Sequence, residues 1–490
     1  MKKYILTISA VMSALTLFAQ SEDDALMFSQ TYQQGTARSA AMGGAFGALG
    51  GDLSVLATNP AGMSIYKDGE FSFTPVFSNT STNNTLNGFE STDDKFSFKF
   101  SNIGFVLSTH NGSEDGFSGF AIGMTYNHLY DLGANNIVNG RNDNSSMIDL
   151  WTNRSQGVTV DDLNGFSDYL AWDCYLMDTI GGGQYIYKNV HQRNGSYGEY
   201  QKYVSSTKGG INTWDFAMSG VFAEKLYFGA SLGIQSVNFK KTSTYSEDDK
   251  NDVVDYEYWD FKENQKTKGC GANLKVGVIY KPVNFLRFGA AIHTPTFYQL
   301  TDKYYSSMSS CFDEDVDVNG NNNHNFSSIS TDNDYEYRLL TPLKAILSGA
   351  FIVPNYGLIS VDYEYVDYTK CKFESNEYDN YDFEYENKAI KDKFKATKNL
   401  RFGAEYLVGP VSVRAGYAMY GNPYKFVTKD IQRQIISGGI GYKGESFYFD
   451  LTGTYHIYQS DKYLYEGSNP QTYSCDNNSL YIITTFGFKF

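Results

Sequence analysis

The chain has 490 residues, with 55 Asp and Glu against 40 Lys and Arg for a formal net charge of −15, and no basic patch stands out, which excludes a nucleic-acid partner. Hydrophobic residues make up 41% and aromatics 16%, a high aromatic share for a mean hydropathy of −0.40. Five cysteines (Cys174, Cys270, Cys311, Cys371, Cys475) lie far apart without Cys-x-x-Cys spacing, and an odd number forbids complete pairing, so they read as incidental, with room for one or two loop disulfides.

Lys2 and Lys3 precede the apolar run YILTISAVMSALTLFA, and small Ala19 stands before Gln20. That pattern is a secretory signal peptide, residues 1–19, cut after Ala19. No later run approaches about 18 apolar residues, so no transmembrane helix is predicted and the exported chain is either soluble or crosses a membrane as a barrel. Residues 20–69 form a second unit, rich in small apolar residues (GTARSAAMGGAFGALGGDLSVLATNPAGM) and too apolar for a disordered linker. It ends on a knot in which Pro60 fixes φ, Asn59 bonds local backbone, and Gly62 lets the chain turn closely. Beginning on the periplasmic side and made of small residues, this segment is expected to fill a lumen as a plug.

From residue 70 to 490 the dominant period is two. Trp214, Phe216, Met218, Gly220 and Phe222 alternate with Asp215, Ala217, Ser219 and Val221, and Phe447, Phe449, Leu451, Gly453, Tyr455 and Ile457 alternate with Tyr448, Asp450, Thr452, Thr454 and His456. Period two means strand. The segments are long, roughly 10–15 residues where ordinary strands run about 5–6. Tyr and Phe gather near strand ends, and connections alternate between short turns (Glu224-Lys225, Val353-Pro354-Asn355, Gly409-Pro410) and long polar loops (Ser243 to Glu257, Asp302 to Asp334, Lys370 to Lys393, Ser460 to Asn478). These are the marks of an all-β fold, an antiparallel transmembrane β-barrel, and the spacing predicts strands over 70–79, 95–109, 117–130, 209–223, 226–242, 267–281, 284–300, 335–352, 356–369, 394–408, 411–421, 431–443, 446–459 and 479–490. That is about fourteen, with the short turns and both termini on the periplasmic side. The final strand puts Leu480, Ile482, Phe486, Phe488 and Phe490 on one face, which resembles the signal read by the outer-membrane barrel assembly machinery.

Two places break the alternation. The apolar phase slips at Ser101-Asn102, which predicts a β-bulge. In the longest loop, Asp131 to Gly210, Leu163, Phe166, Leu170, Cys174 and Met177 recur at helical spacing before Gly181-Gly182-Gly183, which predicts an amphipathic helix, packed on its own loop or offering an apolar landing surface at the mouth.

Chemical motifs are weak. GASLG (Gly229 to Gly233) matches a nucleophile elbow but places Ser231 mid-strand, and GIGYKG (Gly439, Gly441, Gly444) is followed by a strand where a dinucleotide site needs a helix. DVDVNG sets Asp315, Asp317, Asn319 and Gly320 at calcium-loop spacing, but Phe326 stands where a bidentate Glu belongs, so a solvated acidic loop is expected. No catalytic residue, cofactor or metal is expected, and the protein reads as no enzyme. On the inward faces, Lys275, Arg287, Lys344, Arg401 and Arg414 share phase with Asp215, Asp362, Glu405 and Asp450. They form either a self-neutralising network that braces the barrel or, with Arg287, Arg401, Arg414 and Lys344 as candidate lumen cations, a spot for a substrate carboxylate.

Gly35-Thr36-Ala37-Arg38, then Met42-Gly43-Gly44-Ala45-Phe46, Asp52, and Asn59-Pro60-Ala61-Gly62 together resemble the N-terminal hatch of the FadL-type outer-membrane transporters of long-chain fatty acids and other hydrophobic compounds. Many members carry a second acidic residue where this chain has Gly51. The resemblance implies a fourteen-strand barrel closed by a hatch with Asn59, Pro60, Ala61 and Gly62 as its motif, set in outer-membrane lipid. It also implies passive uptake of a hydrophobic small molecule, long-chain fatty acids first. An inward kink of the third strand opens a lateral exit in that family, and here the strand holds Gly119, Gly123 and TYNHLYD. The alternatives are uptake of an aromatic compound or haem by the same build, and a structural or adhesive surface barrel.

Overall fold

The computed structural model describes residues 20–32, 35–111, 115–180, 185–250, 254–318, 321–376, 381–426, 432–465 and 471–490, and in it the period-two segments join into one antiparallel sheet that closes on itself. The staves are β1 (Glu70–Leu86), β2 (Phe89–His110), β3 (Phe117–Asp131, continued by Ala134–Asn142), β4 (Glu199–Phe222), β5 (Leu226–Asp248), β6 (Tyr256–Val283) and β7 (Leu286–His293, continued by Phe297–Val318). Then come β8 (Asn333–Leu340 and Lys344–Val353), β9 (Gly357–Asp367, continued by Lys372–Ser375), β10 (Ala396–Val408), β11 (Val411–Tyr420), β12 (Arg433–Lys443), β13 (Phe447–Tyr463) and β14 (Thr472–Lys489). Each pairs with the next, and β14 returns to β1, from Glu70 opposite Lys489 to Thr85 opposite Ser474, so fourteen staves leave no open edge. The signal-peptide segment lies outside the described residues.

The outer face carries exposed Phe216, Met218, Leu232, Ile234, Leu347, Phe402, Val413 and Ile440, a surface that belongs in hydrocarbon. Ala223 and Glu224 both take positive φ (52° and 53°) in the tight turn from β4 to β5, which matches the twist of a hairpin. The bulge falls where the phase slips: Thr74 faces Asn102 and Pro75 faces Phe100, leaving Ser101 as the extra residue. Its hydroxyl turns inward and donates to the Gly35 carbonyl at 2.7 Å.

Three features depart from the sequence expectation. First, the strands run well past the predicted ends on the long-loop side: β4 starts at Glu199 and β6 at Tyr256. Outside the membrane the ladder continues with polar residues, so the hydrogen bonds persist after the apolar alternation has stopped. Second, β7 breaks at 294–296 and β8 at 341–343, around Pro295 and Pro342, which have no N–H to give the ladder. Third, the loop helix shrinks to Asp168–Asp173, because Asn164-Gly165 interrupts the helical spacing. Leu163, Leu170, Cys174 and Met177 are nonetheless all buried, with Trp151, Trp259 and Tyr245, in a second core that caps the mouth. Of the two readings of this helix, its apolar side is packed inside the cap and not turned out as a landing surface, and the three glycines after it lie outside the described residues. All five cysteines are free thiols, so the loop disulfides do not form.

Charge as well as apolar area holds the cap. His191 lies between two carboxylates, Nδ1 3.3 Å from Glu199 and Nε2 3.6 Å from Glu247, all three fully buried. Glu247 also accepts from Ser146 at 2.8 Å, Tyr245 at 2.6 Å and Trp259 Nε1 at 3.3 Å. Burial alone would pull the imidazole's proton affinity down, but hydrogen bonding to Glu199 and Glu247 outweighs it and holds the ring up to about 10. A raised value means that the charged ring stabilises the fold fully below its unfolded value of about 6.5 and loses that contribution as pH climbs from there through the folded value. The Trp151–Trp259 fluorescence of the cap should hold at neutral pH and give way on approach to pH about 10, and His191→Ala should weaken the cap already at neutral pH, by about 3–5 kcal/mol as for any broken buried pair. A signal flat across that range overturns the assignment.

Candidate functional site

Residues 20–32 and 35–69 lie against inward-facing groups of the staves, and they run from the end opposite to the one expected. Helix α1 (Glu22–Ser29), capped by Ser21 with Asp24, lies beside a long-loop helix, α2 (Glu384–Lys393), with Glu22 paired to Lys393 and Asp23 accepting from Tyr424 at 2.9 Å. From there the chain descends to Gly69, whose N–H and C=O both bond Phe490 at 3.0 Å on the short-turn side. At the loop end, Leu26 and Phe28 of α1 pack into an apolar ring of Phe239, Leu300, Tyr337, Leu339 and Phe373. The start of this segment is thus packed as part of a core.

At the other end, Asn59 accepts from the Ala61 N–H at 3.2 Å and donates to the carbonyls of Gly47 (2.6 Å) and Val278 (3.3 Å). Pro60 opens a 3-10 turn, Pro60–Ile65, and the Gly62 carbonyl takes the Gly51 N–H at 3.1 Å. The wall makes room for this knot. A Cβ at Gly277 would collide with Asn59 Oδ1, and one at Gly229 would sit 2.6 Å from the Pro60 carbonyl. Gly229 of the GASLG match therefore serves close packing of backbone on backbone.

Between the two ends the predicted charges meet. Glu405 on β10 faces Arg414 on β11 across the ladder and holds its Nε at 2.5 Å, while Arg38 of the hatch grips both oxygens of the same carboxylate at 3.0 and 3.1 Å. Arg414 also reaches Asp450 at 2.5 Å. Asp362 receives the Phe46 and Gly47 N–H groups at 3.1 and 3.0 Å and lies 3.9 Å from Arg401, which holds Glu364 at 3.2 Å. Lys275 pairs with Asp215. Within the hatch, Asp52 takes the hydroxyls of Thr36 (2.7 Å) and Ser54 (2.6 Å). Of the four candidate cations, Arg401 and Arg414 are thus tied into the seam between hatch and wall. Arg287 gives its Nη1 to the Leu49 carbonyl at 2.5 Å and Lys344 its ammonium to Thr31 at 2.6 Å; among the described residues neither has a carboxylate within ion-pair distance.

Lys344 opens on a cavity of about 50 Å³ between the hatch and the wall, lined also by Phe28, Lys275, His293, Glu364 and Arg401. The apolar ring around α1 lies directly above it, with Phe28 common to both. On β3 the ladder is continuous on both sides from Gly119 to Asn127, with register shifts at Phe117/Gly119 and His128/Tyr130. The inner side of Gly123 is filled by Met63 and Leu56 of the hatch. Asp315 contacts His324 at 3.1 Å instead of a calcium-loop partner, and Asn319 and Gly320 fall outside the described residues. Sequence spacing gave no hint of His191, Glu199 and Glu247, the one described group of metal-ligating residues held together. Its carboxylates address opposite ring nitrogens, the arrangement of a bridging imidazolium.

If the knot is seated through Gly277, then Gly277→Ala must push Asn59 off the wall. Planar-bilayer recordings should show a rise in single-channel conductance, with β-type circular dichroism unchanged. A variant as tight as the parent would mean that Asn59 is not the latch.

Neither a protein-family model nor a curated protein sequence matches the chain. Solved structures do. A FadL homologue of Pseudomonas aeruginosa superimposes with a TM-score of 0.56 at 11% identity, over 93% of this chain and 98% of that one. The toluene transporter TodX of P. putida gives 0.51 at 12%, over 94% and 99%. The toluene transporter TbuX of Ralstonia pickettii gives 0.50 at 13%, over 94% and 99%. Over almost its whole length, the chain has the fold of the FadL-type outer-membrane channels.

Proposed function

We propose that the protein is a passive channel of the outer membrane for hydrophobic compounds, and that its ligand is an apolar molecule with at most one small anionic head, long-chain fatty acids first. One observation carries this reading: an apolar ring stacked on a cavity that holds Lys344, a cation whose hydrogen-bond partner among the described residues is the neutral Thr31 hydroxyl. An amphiphile fits that order of surfaces, tail in the ring and head on the ammonium. The named ligands of TodX and TbuX are consistent with the coarser part of the proposal. The charges lower in the lumen do not argue for a merely structural barrel, because they line the seam with the hatch, where each bonds a hatch group or a wall partner. A second reading, a neutral aromatic compound, is favoured by the small cavity and by the rings of Phe28 and Tyr298 in its lining.

Uptake of labelled oleate by cells lacking their own fatty-acid transporter and expressing this protein should exceed the empty vector. A charge-assisted hydrogen bond is worth about 1.5–3 kcal/mol, so Lys344→Ala should raise the half-saturating oleate concentration on the order of tenfold or more and leave toluene entry unchanged. Oleate uptake equal to the vector, with toluene admitted, selects the second reading; neither ligand entering removes transport.

A further inference from the structure

Pro295 and Pro342 stand opposite each other in the wall. His293 faces Lys344 on one side of the break and Phe297 faces Leu340 on the other, with three residues between on each stave, so the register runs through the gap unshifted. Neither proline has an N–H for the ladder. Thr294 is turned away as well. It gives its N–H to the Leu274 carbonyl on β6 at 2.9 Å and takes the Leu274 N–H on its hydroxyl at 2.9 Å. Among the described residues, two bonds remain between β7 and β8 in the gap: the Thr341 N–H to the Thr296 carbonyl at 3.1 Å, and the Thr296 N–H to the Thr341 hydroxyl at 2.8 Å.

The gap adjoins the cavity that holds Lys344, for Thr294, Thr296, Thr341 and Pro342 all line it. From the mouth, that cavity lies beneath two packed cores, the cap around Trp151 and Trp259 and the ring around Phe28. From the side, only the wall stands in the way, one stave thick, at a place where its ladder is thin. The outer face there is apolar, with Ile292, Phe297, Leu343 and Leu347 exposed at the edges of the gap. The lower part of β7, Leu286–His293, has 8 residues, close to the about 9–11 that a tilted strand needs to cross a bilayer, so the gap sits at the outer edge of the hydrocarbon. On β3, by contrast, the ladder is continuous from Gly119 to Asn127, and Met63 and Leu56 fill the inner side of Gly123.

We propose that the solute enters sideways, from the outer edge of the membrane, through a window between β7 and β8 that opens when Thr296 and Thr341 part. This rests on the transport reading and adds a route and a source to it: the channel takes an apolar or singly charged amphiphilic compound already dissolved in the membrane surface. The closed wall leaves a cavity of about 50 Å³, too small for such a molecule, so opening also widens the cavity. Parting two ordinary staves strands a row of N–H groups in an apolar setting, which is costly. Here the two prolines have none to strand, and Thr294 keeps its own on β6. Lys344, in the rung next to the gap, meets the head group as it arrives.

Thr296 and Thr341 face each other across the gap, within reach of a disulfide once both are cysteine. Cys371 adjoins Thr341, since Leu340 faces Lys372, and Cys371→Ser keeps it out of the exchange. In cells expressing Thr296→Cys with Thr341→Cys in that background, uptake of labelled oleate should fall to the vector level on oxidation and return with dithiothreitol. Equal uptake by the cross-linked and the reduced pair overturns the window and leaves transport standing. Uptake at the vector level by wild type and reduced pair alike removes the transport reading, and the window with it. If the pair fails to assemble or to carry oleate that wild type carries, the wild-type barrel decides. A photoreactive fatty acid should then label Phe297 and Leu343 at the rim well above Phe77 and Ile482, exposed neighbours on the opposite wall. Equal labelling of the two faces overturns the window.

Discussion

Glu405 lies between two guanidinium groups, one from the hatch and one from the wall, and much of the structure depends on that shared carboxylate. A charge inside a lumen is tolerable only when it is paired and hydrogen-bonded. Because Arg38 and Arg414 both need Glu405, and Arg414 also needs Asp450, the hatch cannot slide along the wall without stranding at least one charge. Asp362, bound to backbone N–H groups of Phe46 and Gly47, sets the same register on the neighbouring stave. The wall glycines fix the remaining coordinate, depth, by letting the knot at Asn59 come within backbone contact. Position along the axis is thus electrostatic and position across it is steric.

What was legible in the sequence follows from this division. Lipid-facing positions repeat every second residue, so Phe216, Met218, Leu232 and Ile234 announce the barrel, and the slip at Ser101 announces its bulge. Outside the bilayer both faces of a strand are free to be polar, and the extensions beginning at Glu199 and Tyr256 had no periodic signature. The cap was invisible for a related reason: Trp151, Trp259 and Met177 come from distant segments and become a core only when the extended staves bring them together. Direction was misread for the hatch because small residues say that a segment fits a lumen but not which way it runs; that information sat in Leu26 and Phe28.

The site divides in the same way. Inward phase correctly gathered Arg401, Arg414, Glu405, Asp362 and Asp450, since register places Glu405 opposite Arg414 and Asp362 opposite Arg401. Which cation is already engaged was not legible, because hatch groups far away in the chain, Leu49 for Arg287 and Thr31 for Lys344, are the partners of two of them. Lys344 is distinguished from Arg401 by its partners: a hatch hydroxyl for one, the wall carboxylate of Glu364 for the other.

The interruptions at Pro295 and Pro342 stand side by side. The Thr341 N–H bonds the Thr296 carbonyl at 3.1 Å, and the Thr296 N–H returns to the Thr341 hydroxyl at 2.8 Å, so two neighbouring staves break at one height and are stitched across the gap. Below that line a residue answers to lipid; above it, to water and to whatever meets the cell. Such a seam separates two solvents within a single sheet. Loops, cap and upper staves can therefore change while the rods beneath keep their register, much as a column can carry a new capital without being recut.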